Sequence, residues 1–237
     1  MPKRARRKKA GWVLGPKEMK GWSFGYLAIF VVIFLVVNLF VLGVAVAISG
    51  MQILQNTSGQ QSLIDSTIAS SLSFPISVFI YLLMRGMSPR QIVKDLGLGR
   101  RMFNRRALYN GIKLFFAILL LEIVVSLITV ATGVQLPTNV QALLEGMPIY
   151  FLLFSIFIAP INEEIFFRGF LVPRAGIVLS SLIFAAFHIG YGSVSEFAAA
   201  VAFGLLAGYV YKKNGSLYAT IFAHMAVNAL TISQFLP

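Results

Sequence analysis

From Tyr26 to Ile48 the chain carries no charged residue, and a run of that length leaves few ways to fold. As a helix rising 1.5 Å per residue it would reach about 35 Å, enough to cross a hydrocarbon layer of about 30 Å. Composition repeats the message over the whole chain. Of 237 residues, 58% are hydrophobic and 12% charged, whereas a soluble domain holds roughly 25% charged and about 45–50% apolar residues. So few charges cannot cover a water-facing surface. In a bilayer every backbone polar group must be satisfied internally, which leaves helices and closed barrels. Barrel strands would show alternating segments of about 10 residues; the runs here are longer and continuous. The expected fold is all-α, a polytopic membrane helical bundle.

The segment MPKRARRKKA before the first run is similar to the basic region of a signal peptide, and Ala45-Val46-Ala47 to a cleavage site. Signal-peptide apolar regions span only about 7–15 residues, so an uncleaved anchor is expected. Residues 51–70 are polar and lack Lys and Arg. A weaker second span, Ser71 to Met84, begins near Ile68 and is interrupted by Pro75. A basic loop runs from Arg85 to Arg106, and the third span from Ala107 to Val130. Residues 131–147 form a second loop without Lys or Arg. Pro148 to about Phe167, Ile177 to Gly190, Phe197 to Tyr211 and Leu217 to Leu236 supply four more spans.

Charge sets the threading. Of the 20 Lys and Arg, eight lie between Lys3 and Lys20 and eight between Arg85 and Lys113; the others are Arg168, Arg174, Lys212 and Lys213. With the N-terminus inside, seven spans place all of them in the cytoplasm, as cations flanking spans usually are. The same distribution favours anionic lipid head groups as partners and argues against nucleic acid. Residues 1–22 read as a basic cytoplasmic segment, 23–147 as N-terminal membrane helices with the basic loop 85–106, and 148–237 as a helical core. The absence of cysteine excludes disulfides, thiolate metal sites and a cysteine nucleophile. The lack of an internal repeat weakens a transporter of the repeated type.

Charges at mid-bilayer cost about 2.5–3.5 kcal/mol each on insertion scales and so mark function. The fourth span ends IAPINEEIFFRGF. Pro160 lacks a backbone donor and should free the carbonyl of Ile156, kinking the helix just before Asn162, Glu163 and Glu164. Glu164 and Arg168 are four apart on one face, in the favourable order of acid before base. Glu163 points about 100° away, toward a cavity. The plainer alternative puts both glutamates at the cytoplasmic interface, solvated and inert. His188 ends FAAFH in the fifth span; His224 and Asn228, four apart in AHMAVN, share a face of the seventh. Singly these read as packed histidines or interhelical hydrogen-bond partners. Together a carboxylate pair, two imidazoles and an amide from three spans are the minimum kit for activating water against a carbonyl. Glu122 in the third span either pairs with a site residue or lines the cavity.

These residues resemble the CPBP family, the intramembrane proteases named for CAAX processing and bacteriocin processing, also called the Abi family. Glu163, Glu164 and Arg168 match its first motif, Phe184 and His188 its second, His224 and Asn228 its last. FGLLAGYVYKKNGSLYATIFAH is similar to the family's glycine-containing stretch before the final helix. The resemblance runs from about Pro148 to Gln234. It implies that Glu163 and His188 activate the attacking water and that His224 and Asn228 stabilise the oxyanion, with Glu164, Arg168 and Phe184 in support. No metal is expected, since no HExxH places the ligands on one helix; the alternative is zinc on a His₂Glu set. The expected activity is endopeptidase cleavage of a membrane-associated peptide or protein near the cytoplasmic face, in a bacterial cell membrane. A non-catalytic scaffold or bacteriocin-immunity protein is the alternative within the family.

Overall fold

The computed structural model describes residues 24–53, 59–132, 144–189 and 194–236. The basic segment 1–22, and the loop residues 133–143 used in the topology expectation, lie outside them. Among the described residues the regular structure is helical throughout: α1 (Phe24–Ile53), α2 (Gly59–Met84), the short α3 (Pro89–Asp95), α4 (Arg105–Thr132), α5 (Ile149–Ala175), α6 (Ile177–Ala186), α7 (Val194–Asn214) and α8 (Leu217–Ile232).

The bundle turns its apolar side chains outward. Phe40 on α1 is 70% exposed and Leu120 on α4 is 63% exposed, while Ser73, Ser77 and Thr220 are fully buried. Water would penalise that arrangement, and lipid favours it, because hydroxyls need partners inside a bundle and alkyl groups need none outside it. Segments within α2, α4, α5 and α7 are long and apolar enough to cross a membrane; α6, α8 and the Ala28–Val44 part of α1 are shorter apolar stretches. The fifth expected span is therefore trimmed: α6 ends at Ala186, and its ten residues reach about 15 Å.

Contacts place the described cationic turns and loop at one end of the bundle. Arg174 binds Asp95 at 2.9 Å. The turn between α7 and α8 packs on the basic loop: Leu217 N–H donates to Gly97 O at 3.2 Å, Ser216 Oγ to Met102 O at 3.1 Å and Tyr218 Oη to Leu98 O at 2.9 Å. Arg85 lies over the ring of Tyr26, 3.9 Å from its centroid, so α1 also starts at this end. The cation-rich loop 85–106, the ends of α5 and α7 and the start of α1 thus share one side, as the alternation of charge requires.

An aromatic core fixes the first two helices to α5, with Phe30 against Phe170 and Phe74 against Phe166, both at 4.7 Å between centroids. On the other flank α6 meets α7 through Gly204. A Cβ there would sit 2.7 Å from Ser181 Cβ and 2.9 Å from its Cα, so only glycine permits the approach. That closeness sets Phe184 beside Phe203, 5.9 Å between centroids.

Candidate active site

The site is built on α5, which is not a uniform α-helix. Residues Phe154–Ile158 and Ile165–Leu171 are wound as π-helix, on either side of Ala159–Glu164. Single π turns often occur at functional positions, because they rotate side chains out of the regular helical register. The first one follows from Pro160. In an α-helix Ser155 O would accept the N–H of Ala159, but that N–H donates to Phe154 O, and Pro160 has none to offer. This leaves the Ser155 carbonyl, one residue before the Ile156 carbonyl expected to be freed, without its α-helical donor. Asn228 on α8 supplies its missing donor, with Nδ2 at 2.9 Å. The asparagine is thereby fixed on the α5 backbone, leaving its second amide hydrogen available.

Glu164 and Arg168 form the expected ion pair, Oε1 to Nη1 at 2.7 Å, with the two side chains 0% and 1% exposed. That burial removes the alternative of two solvated interfacial glutamates. The guanidinium is stacked between two rings, 4.3 Å from the centroid of Phe184 and 4.9 Å from that of Phe203, an arrangement that stabilises a desolvated cation. The same Glu164 oxygen accepts a hydrogen bond from His224 Nδ1 at 3.0 Å.

His224 therefore touches both glutamates. Its Nδ1 faces Glu164, and its Nε2 lies 3.7 Å from Glu163 Oε2. Phe203 packs against the imidazole at 4.6 Å. His188 is held by the matching nitrogen, Nδ1 to Phe184 O at 2.9 Å. A carbonyl and a carboxylate only accept, so both rings carry a proton on Nδ1 in these contacts. Asn162, also in the acidic segment, donates to Ser71 Oγ at 3.1 Å and ties α5 to α2.

Glu163, His188, His224 and Asn228 all line one cavity of about 150 Å³. Phe184, Phe203 and Ser155 share its wall. Glu122 lines it too, and Glu196 joins it from α7. Phe203, Ser155 and Glu196 were not singled out by sequence reasoning. Phe203 lies in the glycine-containing stretch FGLLAG, and Glu196 is an acid in the first turn of an apolar helix; those were the available signals.

Glu164 Oε1 is engaged by Arg168 and His224, and among the described residues no group of three or more His, Asp or Glu is disposed to hold an ion.

A polytopic helical membrane protein with a buried Glu–Arg–His cluster facing an internal cavity is the class this geometry defines. Over residues 145–230 the chain matches the family described as type II CAAX prenyl endopeptidase Rce1-like. The match contains all seven motif residues from Glu163 to Asn228. The chain is also similar to the uncharacterized protein YpbD of Bacillus subtilis (strain 168), 37% identical over 73 residues; the aligned stretch is 30% of this chain and 39% of that protein's length. No solved structure matches.

Proposed function

We propose that this chain is an intramembrane endopeptidase that hydrolyses a peptide bond of a membrane-associated peptide or protein. The observation that carries the reading is the Glu163 carboxylate, which faces a cavity beside His224 Nε2 and is backed by the buried Glu164–Arg168 pair. Glu163 takes a proton from a water molecule as its oxygen attacks the scissile carbonyl carbon. His188 Nε2 accepts the second water hydrogen and orients the nucleophile. As the carbonyl oxygen gains charge, Asn228 donates its free amide hydrogen. His224, protonated on both nitrogens, donates from Nε2 while Nδ1–H stays on Glu164. Collapse of the tetrahedral intermediate breaks the C–N bond, and Glu163 returns its proton to the departing amine.

Anionic lipids at the cationic end are proposed as the second class of partner. A scaffold or immunity protein would have no use for a cavity lined by Glu163, both histidines and Asn228, which is why hydrolysis is preferred. The test compares peptide termini in membranes of cells carrying the wild-type chain and Glu163→Ala at equal abundance. New termini present only with the wild type are expected; identical sets would end the endopeptidase reading.

Catalysis is proposed to run without a metal, since no HExxH places ligands on one helix. Purified protein should keep its cleavage rate after exhaustive chelation. Loss of activity that zinc restores, with stoichiometric metal in the protein, would reverse this.

A further inference from the structure

We infer that the turn leading into α4 is an anionic-phospholipid site which, when filled, holds α8 and its two catalytic groups in place. The choice of lipid rests on the partner proposed above, whereas the link to α8 rests on contacts alone. The site is the stretch RRMFNRR, residues 100–106. Its four arginines are exposed, and among the described residues none of them pairs with a carboxylate. Asn104 draws the two arginine pairs into one turn: its Nδ2 donates to Arg101 O at 3.0 Å, and its Oδ1 accepts the N–H of Ala107 at 3.0 Å. Like charges so close together repel, and a phosphate between them relieves the repulsion. Between the pairs Phe103 is 74% exposed, more than any other described phenylalanine. Because α2 ends at Met84 and α4 begins at Arg105, the turn lies where two long helices leave the hydrocarbon. There guanidiniums take phosphate through paired N–H groups, and an aromatic ring reaches the acyl boundary. An anionic phospholipid meets both the charge and the ring.

The inner side of the same loop grips the start of α8. Ser216 precedes α8 but makes no capping bond to it; its hydroxyl donates to Met102 O instead. Tyr218 Oη donates to Leu98 O, and Leu217 N–H to Gly97 O. The Phe103 ring stands edge-on to that of Tyr218, 5.1 Å between centroids, so the residue offered to lipid also touches α8. Gly97 permits the close approach: its φ is +75°, and a Cβ there would lie 2.7 Å from Gly215 O. Loop and helix start are thus joined without slack. Along α8, His224 lies about 10 Å and Asn228 about 16 Å from Leu217, on one continuous helix. A lipid that binds the ordered turn better than a displaced one shifts the population toward it. It thereby holds both side chains where they face the cavity.

The full chain is reconstituted in nanodiscs of phosphatidylcholine alone or with phosphatidylglycerol added. Three quantities are read: the thermal melt, backbone hydrogen exchange over residues 216–224, and Glu163-dependent termini released from a pool of membrane peptides. Phosphatidylglycerol is expected to raise the melting temperature, to slow exchange in α8 several-fold and to raise cleavage several-fold. The variant with Arg100→Gln, Arg101→Gln, Arg105→Gln and Arg106→Gln should behave in both lipids as the wild type does in phosphatidylcholine. The milder pair Arg100→Gln and Arg101→Gln should keep part of the response, and it guards against a folding defect in the first variant. Ser216→Ala with Tyr218→Phe should keep the melt shift and lose the slowing of α8. Wild-type exchange in α8 that ignores phosphatidylglycerol overturns the inference, and so do arginine variants that respond fully. The same response from inorganic phosphate in phosphatidylcholine discs overturns the lipid as ligand. If nothing is cleaved in either lipid while melt and exchange respond, the endopeptidase reading falls and the lipid site stands.

Discussion

Glu163→Gln is expected to abolish cleavage while the protein inserts normally and melts like the wild type. The amide keeps the size of the side chain and can still reach His224 Nε2 across the 3.7 Å gap, but it cannot take a proton from water. Positioned acid–base groups contribute about 10²–10⁴-fold to rate, and this residue is assigned both the uptake and the return of the proton. The structural cost should be small, because the Glu163 side chain is 19% exposed and lines the cavity, and the buried ion pair next to it is left intact. The measurement is turnover per folded molecule beside a thermal melt in detergent. Undiminished cleavage by a folded Glu163→Gln protein would remove the residue from the mechanism.

The largest loss of stability is expected at the neighbouring residue. Glu164→Gln leaves the guanidinium of Arg168 without its counter-charge, fully enclosed between Phe184 and Phe203. Removing one member of a buried ion pair costs about 3–5 kcal/mol, whereas an exposed pair contributes about 0–1 kcal/mol. With 0% and 1% exposure the pair belongs at the upper limit. Arg168→Gln should cost a similar amount, and the double variant less than the sum, since it strands no charge. Glu164 also holds His224 by Nδ1, so activity should fall in step with the lost stability. A Glu164→Gln protein that melts like the wild type yet is inactive, beside an active Glu163→Gln, would mean that the two carboxylates have exchanged roles.

How much of this was legible beforehand differs from residue to residue. The apolar runs were plain, because a bilayer accepts only backbones that satisfy themselves, and length then separates helix from strand. The Glu164–Arg168 pair was legible from a spacing of four, which survives although Arg168 itself sits in π-wound helix. The meeting of His224 with both glutamates was not, since periodicity fixes a face and says nothing about which helix it meets. Phe203 and Ser71 could not be found in advance; apolar rings and hydroxyls abound in such helices, and only packing selects these two.

The carbonyl of Ser155 has a consequence for how this sequence can drift. Its donor comes from Asn228 because the residue at 160 has no N–H and the neighbouring N–H has moved to Phe154 O. Any non-proline residue at 160 restores a backbone donor within reach of that carbonyl and competes with the asparagine amide. Conversely, an apolar residue at 228 strands the carbonyl for as long as the proline stays. Two positions on different helices, with most of the core between them in the chain, are thus constrained as a unit. A change at 160, which bears no reactive group, alters what the amide at 228 is free to bind.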